Sequence, residues 1–112
     1  MVEKRVKNLK KVLNSFRREL EKKIRVKKMI LFGSYARGTP RDYSDIDVAV
    51  VSPDFKERGM GDYILLDRAA REVTPLIEAF PYTPKDIRDH VRGDFLDHIL
   101  KTGKVVYRQT HR

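Results

Sequence analysis

Residues 31–51 decide the reading: Leu31-Phe32-Gly33-Ser34-Tyr35-Ala36-Arg37-Gly38-Thr39-Pro40-Arg41-Asp42-Tyr43-Ser44-Asp45-Ile46-Asp47-Val48-Ala49-Val50-Val51. The apolar run Val26 to Phe32 stops at Gly33, which predicts a short buried strand. Gly33-Ser34 reads as a turn into a short helical segment, with Ser34 placed to cap it. Gly38-Thr39-Pro40 ends that segment, Arg41 to Ser44 is a polar loop, and Asp45 to Val51 predicts a second strand closed by Ser52-Pro53.

Two carboxylates open that second strand. Asp45 and Asp47 are two residues apart, so on a strand they share one face, with Cα atoms about 6.5–7 Å apart. Ile46 and Val48 then point the other way, toward a core. Adjacent like charges repel unless a cation neutralises them. Hard divalent ions with oxygen ligands do this, and Mg²⁺ fits where substrate phosphates complete its shell. Two such ions can clamp the attacking and leaving oxygens of a phosphoryl displacement. Gly33 supplies the complement: a residue without Cβ lets a ligand approach the backbone. The helix start after it offers N–H groups to phosphate, and Ser34 adds a hydroxyl donor.

Outward from this stretch the chain alternates. Val2, Val6, Leu9, Leu13, Phe16, Leu20 and Ile24 step by four and three, which predicts a helix over 2–24 with one apolar stripe. Residues 54–61 are a loop, Asp62 to Val73 a helix, and Thr74 to Tyr82 a third strand. Pro84 to Lys101 is helical with a break near Gly93, and Val105 to Tyr107 is a short last strand. The order α-β-α-β-α-β-α-β predicts an α/β (α+β) fold, a small mixed sheet flanked by helices, in one domain spanning 1–112.

The chain has 112 residues, 40% of them hydrophobic, and no cysteine. A packed core is therefore within reach, whereas a thiol nucleophile, a Cys-ligated zinc and a disulfide framework are excluded. No run approaches the roughly 18 apolar residues of a membrane helix, and no secretory signal follows the basic N-terminus. The expected compartment is the cytoplasm. The net charge of +9 is uneven: residues 1–28 carry 12 basic and 3 acidic side chains, and the remainder is neutral. This basic segment suits an acidic partner or a nucleic acid, RNA included. It equally suits a solvated helix face.

Gly33-Ser34, ten residues, then Asp45-x-Asp47 resembles the signature of the minimal nucleotidyltransferases, within the DNA-polymerase-β-like superfamily. Leu31 to Gly38, Ser44 to Val48, and the ending Ile99-Leu100-Lys101-Thr102-Gly103-Lys104-Val105-Val106-Tyr107 are similar to that family as well. The resemblance implies a nucleotidyltransferase fold, Mg²⁺, and transfer of NMP from an NTP to a hydroxyl, with AMP from ATP expected. Small members stand beside HEPN-type RNase toxins as antitoxins, and some adenylylate a tyrosine on the toxin. A hetero-oligomer with such a toxin is therefore expected. Transfer to a tRNA or other RNA end, and a non-catalytic antitoxin acting by steric binding, are the alternatives. Carried over by position, Gly33 and Ser34 match the phosphate-binding turn, and Asp45 and Asp47 the first two metal ligands.

The family's third carboxylate falls on the next sheet strand, where Glu78 interrupts the apolar Pro75-Leu76-Ile77-Glu78-Ala79-Phe80. A charge there is costly without a partner, and a Glu within reach of the hydroxyl serves as a base. The other reading of Glu78 is an edge-strand residue facing water. Arg37, one turn past Ser34, reaches either the triphosphate or a neighbouring carboxylate, Asp42 or Asp45. Arg41 has a weaker version of the same case, and Tyr35 is expected to pack locally. His90, His98 and His111 share no metal-ligand spacing and are expected on the surface or in packing.

Overall fold

The computed structural model describes residues 8–41, 43–56 and 59–110. Among these residues nine elements follow one another: α1 (Leu9–Glu21), β1 (Lys28–Phe32), α2 (Ser34–Arg37), β2 (Ile46–Val51), α3 (Met60–Arg71), β3 (Ile77–Tyr82), α4 (Pro84–Arg88), α5 (Phe95–Thr102) and β4 (Lys104–Arg108). The strands form one sheet in the order β3-β2-β1-β4. β1 is antiparallel to β2 and to β4, while β2 and β3 are parallel. The sheet is thus mixed and flanked by helices, as expected.

Side-chain alternation along the strands divides the interior in two. Met29, Leu31, Ile46, Val48, Val50 and Ile77 face Leu13, Phe16 and Leu20 of α1 and Leu66, Ala69 and Ala70 of α3. On the opposite face Ile30, Phe32, Ala49 and Tyr82 meet Leu96 and Ile99 of α5. The stripe read from Leu9 to Leu20 is the one α1 buries, so this helix packs on its own sheet. Arg17 ties it further to the sheet, its guanidinium 4.5 Å over the Tyr107 ring of β4, and pairs within α1 with Glu21 at 2.8 Å.

Several boundaries differ from the expectation, each for a local reason. The first helix ends at Glu21, where the Lys23 and Ile24 N–H groups both fold back onto the Leu20 carbonyl. Val2 and Val6 lie outside the described residues. β2 begins at Ile46, leaving Asp45 exposed just before it. β3 begins at Ile77, because Thr74 to Leu76 are held in a turn in which the Thr74 hydroxyl accepts from the Leu76 N–H. The last helical stretch is two helices. Thr83 and Asp86 close a capping box on α4, and Asp94 caps α5 from beyond Gly93, which sits at φ 88°.

The parallel pairing also accounts for Pro81 inside a strand. Ile46 N–H donates to the Leu76 carbonyl and Ser52 N–H to that of Tyr82. The even-numbered residues of β3 therefore bond β2, and the nitrogen of Pro81 points to the free edge, where no donor is needed.

Candidate active site

Cross-strand register assembles the site. On the α5 side of the sheet, Phe32 of β1, Asp47 of β2 and Glu78 of β3 stand in one row. Ile30, Ala49 and Phe80 form the next. Asp45 joins the first row from the loop before β2. That loop is pinned twice: the Arg41 N–H donates to the Ser44 hydroxyl at 2.7 Å, and the Ser44 N–H donates to the Arg41 carbonyl. Carboxylate oxygens of Asp45, Asp47 and Glu78 consequently lie within 4.8 Å of one another.

Gly33 makes the row possible. Its backbone sits at φ 75°, ψ −154°, a region that only glycine occupies readily. A Cβ at this position would collide with the Asp47 Oδ2. Gly33, not Ser34, is the N-cap of α2, and among the described residues no side chain caps that helix. Ser34 is instead the first helical residue, which frees its hydroxyl from the capping role expected for it.

The carboxylates are poorly compensated by protein. Burial, followed by the neighbouring Glu78 charge and hydrogen bond and the Asp45 charge, pushes the Asp47 carboxyl up to about 6, against a small lowering by Arg37. Three acids grouped within 4.8 Å, with Arg37 the one described cation acting on Asp47, are a donor set that a divalent ion would neutralise. The residues present therefore fit a hard divalent cation.

Two clefts meet at this row. One, of about 540 Å³, is lined by Gly33, Ser34, Arg37 and Ser44, by all three carboxylates, and by Phe32, Phe80, Phe95 and His98. The other, of about 350 Å³, shares Asp45, Glu78 and Phe80 and continues past Tyr63, Asp67 and Pro75. All six residues singled out from the sequence therefore converge. Glu78 is on an edge strand and exposed, yet it faces Asp47. Arg37 lines the first cleft and has no ion pair with another described residue. Arg41 does not line it, and Tyr35 packs against the core as expected.

Sequence reasoning missed Phe80, Phe95 and His98. Phe80 was legible as the residue two beyond Glu78 on the same strand face. Phe95 and His98 are one helical turn apart, but that a helix face turns toward the row is decided by how α5 docks. His98 is exposed, as expected, and from that position it lines the cleft. His90 does pack locally. Its Nδ1 donates to the Ile87 carbonyl at 2.8 Å, and its Nε2 lies 3.1 Å from Asp97. The buried Asp97 also accepts from the Gly93 N–H and pairs with Lys101. That network fixes the segment that carries Phe95. His111 lies outside the described residues.

A mixed sheet with a Gly-Ser turn after β1 and paired acids at the start of β2 is the arrangement that the resemblance to the nucleotidyltransferases led one to expect. Residues 9–106 match the nucleotidyltransferase domain family, and the chain belongs to it. A protein of Methanocaldococcus jannaschii named "Putative protein adenylyltransferase" is 32% identical over 105 residues, spanning 89% of this chain and 99% of the relative. Another of the same name and organism is 38% identical over 55 residues, 46% of this chain and 64% of the relative. Among solved structures, a chain of a toxin–antitoxin crystallised with AMP-PNP superposes with a TM-score of 0.64 at 23% identity, over 86% of this chain and 73% of that one. A Sulfolobus solfataricus protein described as a "putative nucleotidyltransferase" gives 0.62 at 20% identity, over 89% and 80%. At these identities the structural likeness concerns the fold.

Proposed function

We propose that this nucleotidyltransferase moves AMP from ATP to a hydroxyl on a partner protein, a HEPN-type RNase toxin, with release of pyrophosphate, and so serves as its antitoxin. The observation that carries the reading is the convergence of Asp45, Asp47 and Glu78 beside the Gly33 turn. The adenylyltransferase name of the Methanocaldococcus relatives supports the choice of nucleotide and of a protein acceptor. The toxin–antitoxin neighbour holding AMP-PNP supports the choice of partner.

In this scheme Gly33, Ser34 and Arg37 hold the phosphates and Asp45, Asp47 and Glu78 hold Mg²⁺. When bound, the ion supplies charge neutralisation at the oxygens of the transferring phosphoryl group. The acceptor hydroxyl attacks the α-phosphorus, a new P–O bond forms, and the bond to pyrophosphate breaks. In this reading Glu78 takes the hydroxyl proton, a role that its exposure at the junction of the two clefts supports. In-line displacement puts the entering oxygen opposite the departing pyrophosphate. The acceptor accordingly enters through the cleft lined by Tyr63, Asp67 and Pro75, away from Gly33.

One observation favours a second reading, transfer to an RNA end: the +9 charge concentrated in residues 1–28. Label transfer from α-labelled ATP with Mg²⁺ separates the two. The acceptors are a HEPN-type toxin and bulk tRNA, and the control is the Asp45→Asn/Asp47→Asn double variant. Label on the toxin, lost in the variant, is the expected result. Label on tRNA moves the reading to RNA modification, with binding that falls steeply with salt. No label on either, with tight toxin binding by both proteins, leaves steric neutralisation.

A further inference from the structure

Phe95 is a large apolar side chain left 52% exposed at the first turn of α5. It is not an isolated surface residue. Its ring stands edge-on to Phe32 at 5.7 Å and to Phe80 at 5.9 Å, and those two rings are 5.5 Å apart. Phe32 immediately precedes Gly33, and Phe80 lies two residues beyond Glu78 on the same face of β3. Two rings of the trio therefore stand on the strands that lead to Gly33 and carry Glu78, and the third packs onto them from α5. All three rings line the cleft that contains Gly33, Ser34 and Arg37.

We infer that the exposed face of Phe95, backed by Phe32 and Phe80, is the shelf on which the nucleobase of the substrate stacks. The inference rests on the nucleotidyl-transfer reading and names a subsite within it. Base and phosphates belong to one molecule, so the base must settle in the cleft that holds the phosphates. In that cleft Gly33, Ser34 and Arg37 are committed to phosphate, and Asp45, Asp47 and Glu78 to the ion. The lining that remains is the three aromatic rings, His98 one turn beyond Phe95, and Ser44, whose hydroxyl already accepts from the Arg41 N–H. Every base has a π-face, and an aromatic ring offers it apolar contact with favourable ring geometry. The Asp97 network, which bonds Gly93, His90 and Lys101, holds the start of α5 and keeps the shelf in place.

Isothermal titration of the full chain with Mg²⁺ and either ATP or inorganic tripolyphosphate tests this. Phe95→Ala should weaken ATP about tenfold, the scale of one lost base–aromatic stack, and leave tripolyphosphate unchanged. Phe95→Leu keeps apolar bulk over Phe32 and Phe80 without a π-face, and should weaken ATP alone as Ala does. Phe95→Tyr should bind ATP as the native protein does. ATP binding unchanged in the Leu variant overturns the shelf. So does a loss that ATP and tripolyphosphate share, since that reports a disturbed cleft. Native protein that binds tripolyphosphate and ATP equally well overturns the shelf but not nucleotidyl transfer. Native protein that binds neither overturns both.

Discussion

Replacing Asp47 by Asn should stabilise the metal-free protein. The Asp47 carboxyl is lifted from 3.8 to about 6 by burial and by its acidic neighbours, so the folded chain pays for ionising it. Such a lift corresponds to about 3 kcal/mol at neutral pH. The side chain is only half-buried, and solvent screening reduces this to about 1–1.5 kcal/mol. The sign follows from the direction. A carboxyl raised in the folded state contributes its stability in full below pH 3.8 and loses it as pH climbs through 6. Asn carries no charge at any pH, so the variant should gain about 5 °C in Tm at pH 7.5 in chelator. The gain should vanish near pH 4, where the native acid is protonated. Mg²⁺ should raise the Tm of the native protein, by preferential binding to the folded state, and not that of the variant. Thermal unfolding by circular dichroism at both pH values, with and without Mg²⁺, reads all of this. A variant less stable than native at pH 7.5, or a gain of equal size at pH 4, would refute the reasoning.

Gly33→Ala should cost about 1–3 kcal/mol from its left-handed backbone alone. The added methyl also displaces the Asp47 carboxylate, so Mg²⁺-dependent stabilisation should fall with it in the same unfolding assay. Gly103→Ala should destabilise by about 1–3 kcal/mol through overpacking. Its methyl would stand 2.6 Å from the Ile30 Cγ2 and from the Ile99 carbonyl, where α5 passes into β4, and chemical denaturation measures the cost. Both ring nitrogens of His90 face acceptors, so the folded state favours the imidazolium, chiefly through the Ile87 carbonyl and then Asp97. That contribution is fully present below the ordinary pKa of about 6.5. It is lost as pH rises through the raised folded value, so His90→Gln should flatten the fall in Tm across this window. Asp97, held down to about 2 mainly by the Gly93 N–H and Lys101, adds stability that is lost only as pH falls from 3.8 toward 2. Asp97→Ala should therefore lower Tm at neutral pH while leaving native and variant alike near pH 2.

Local chemistry made much of the molecule legible. The apolar stripe of α1, the runs of β1 and β2, and the Gly33 and Gly38 breaks are periodicities and turn residues that act within a few positions of themselves. Asp47 turns to one face and Ile46 and Val48 to the core because alternation requires it, whereas Asp45 joins Asp47 from the loop just ahead of β2. Glu78 could be named but not placed. An acid on the next strand reaches Asp47 only if the two strands are parallel neighbours in this register, and a slip of one residue would turn it to the other face. The caps of α4 and α5 were written in Thr83, Asp86 and Asp94 and were passed over.

The sequence by itself determined the class of fold and the acids that open β2, because strand alternation and glycine's freedom are properties of short stretches. Only the tertiary structure decided that Glu78 completes the row, that Asp97 is buried in a network, and that Phe95 and His98 of α5 turn toward Gly33. Those placements depend on which strands pair and on how a helix docks across the sheet. Both are settled by burial summed over the whole chain, a quantity no local segment contains.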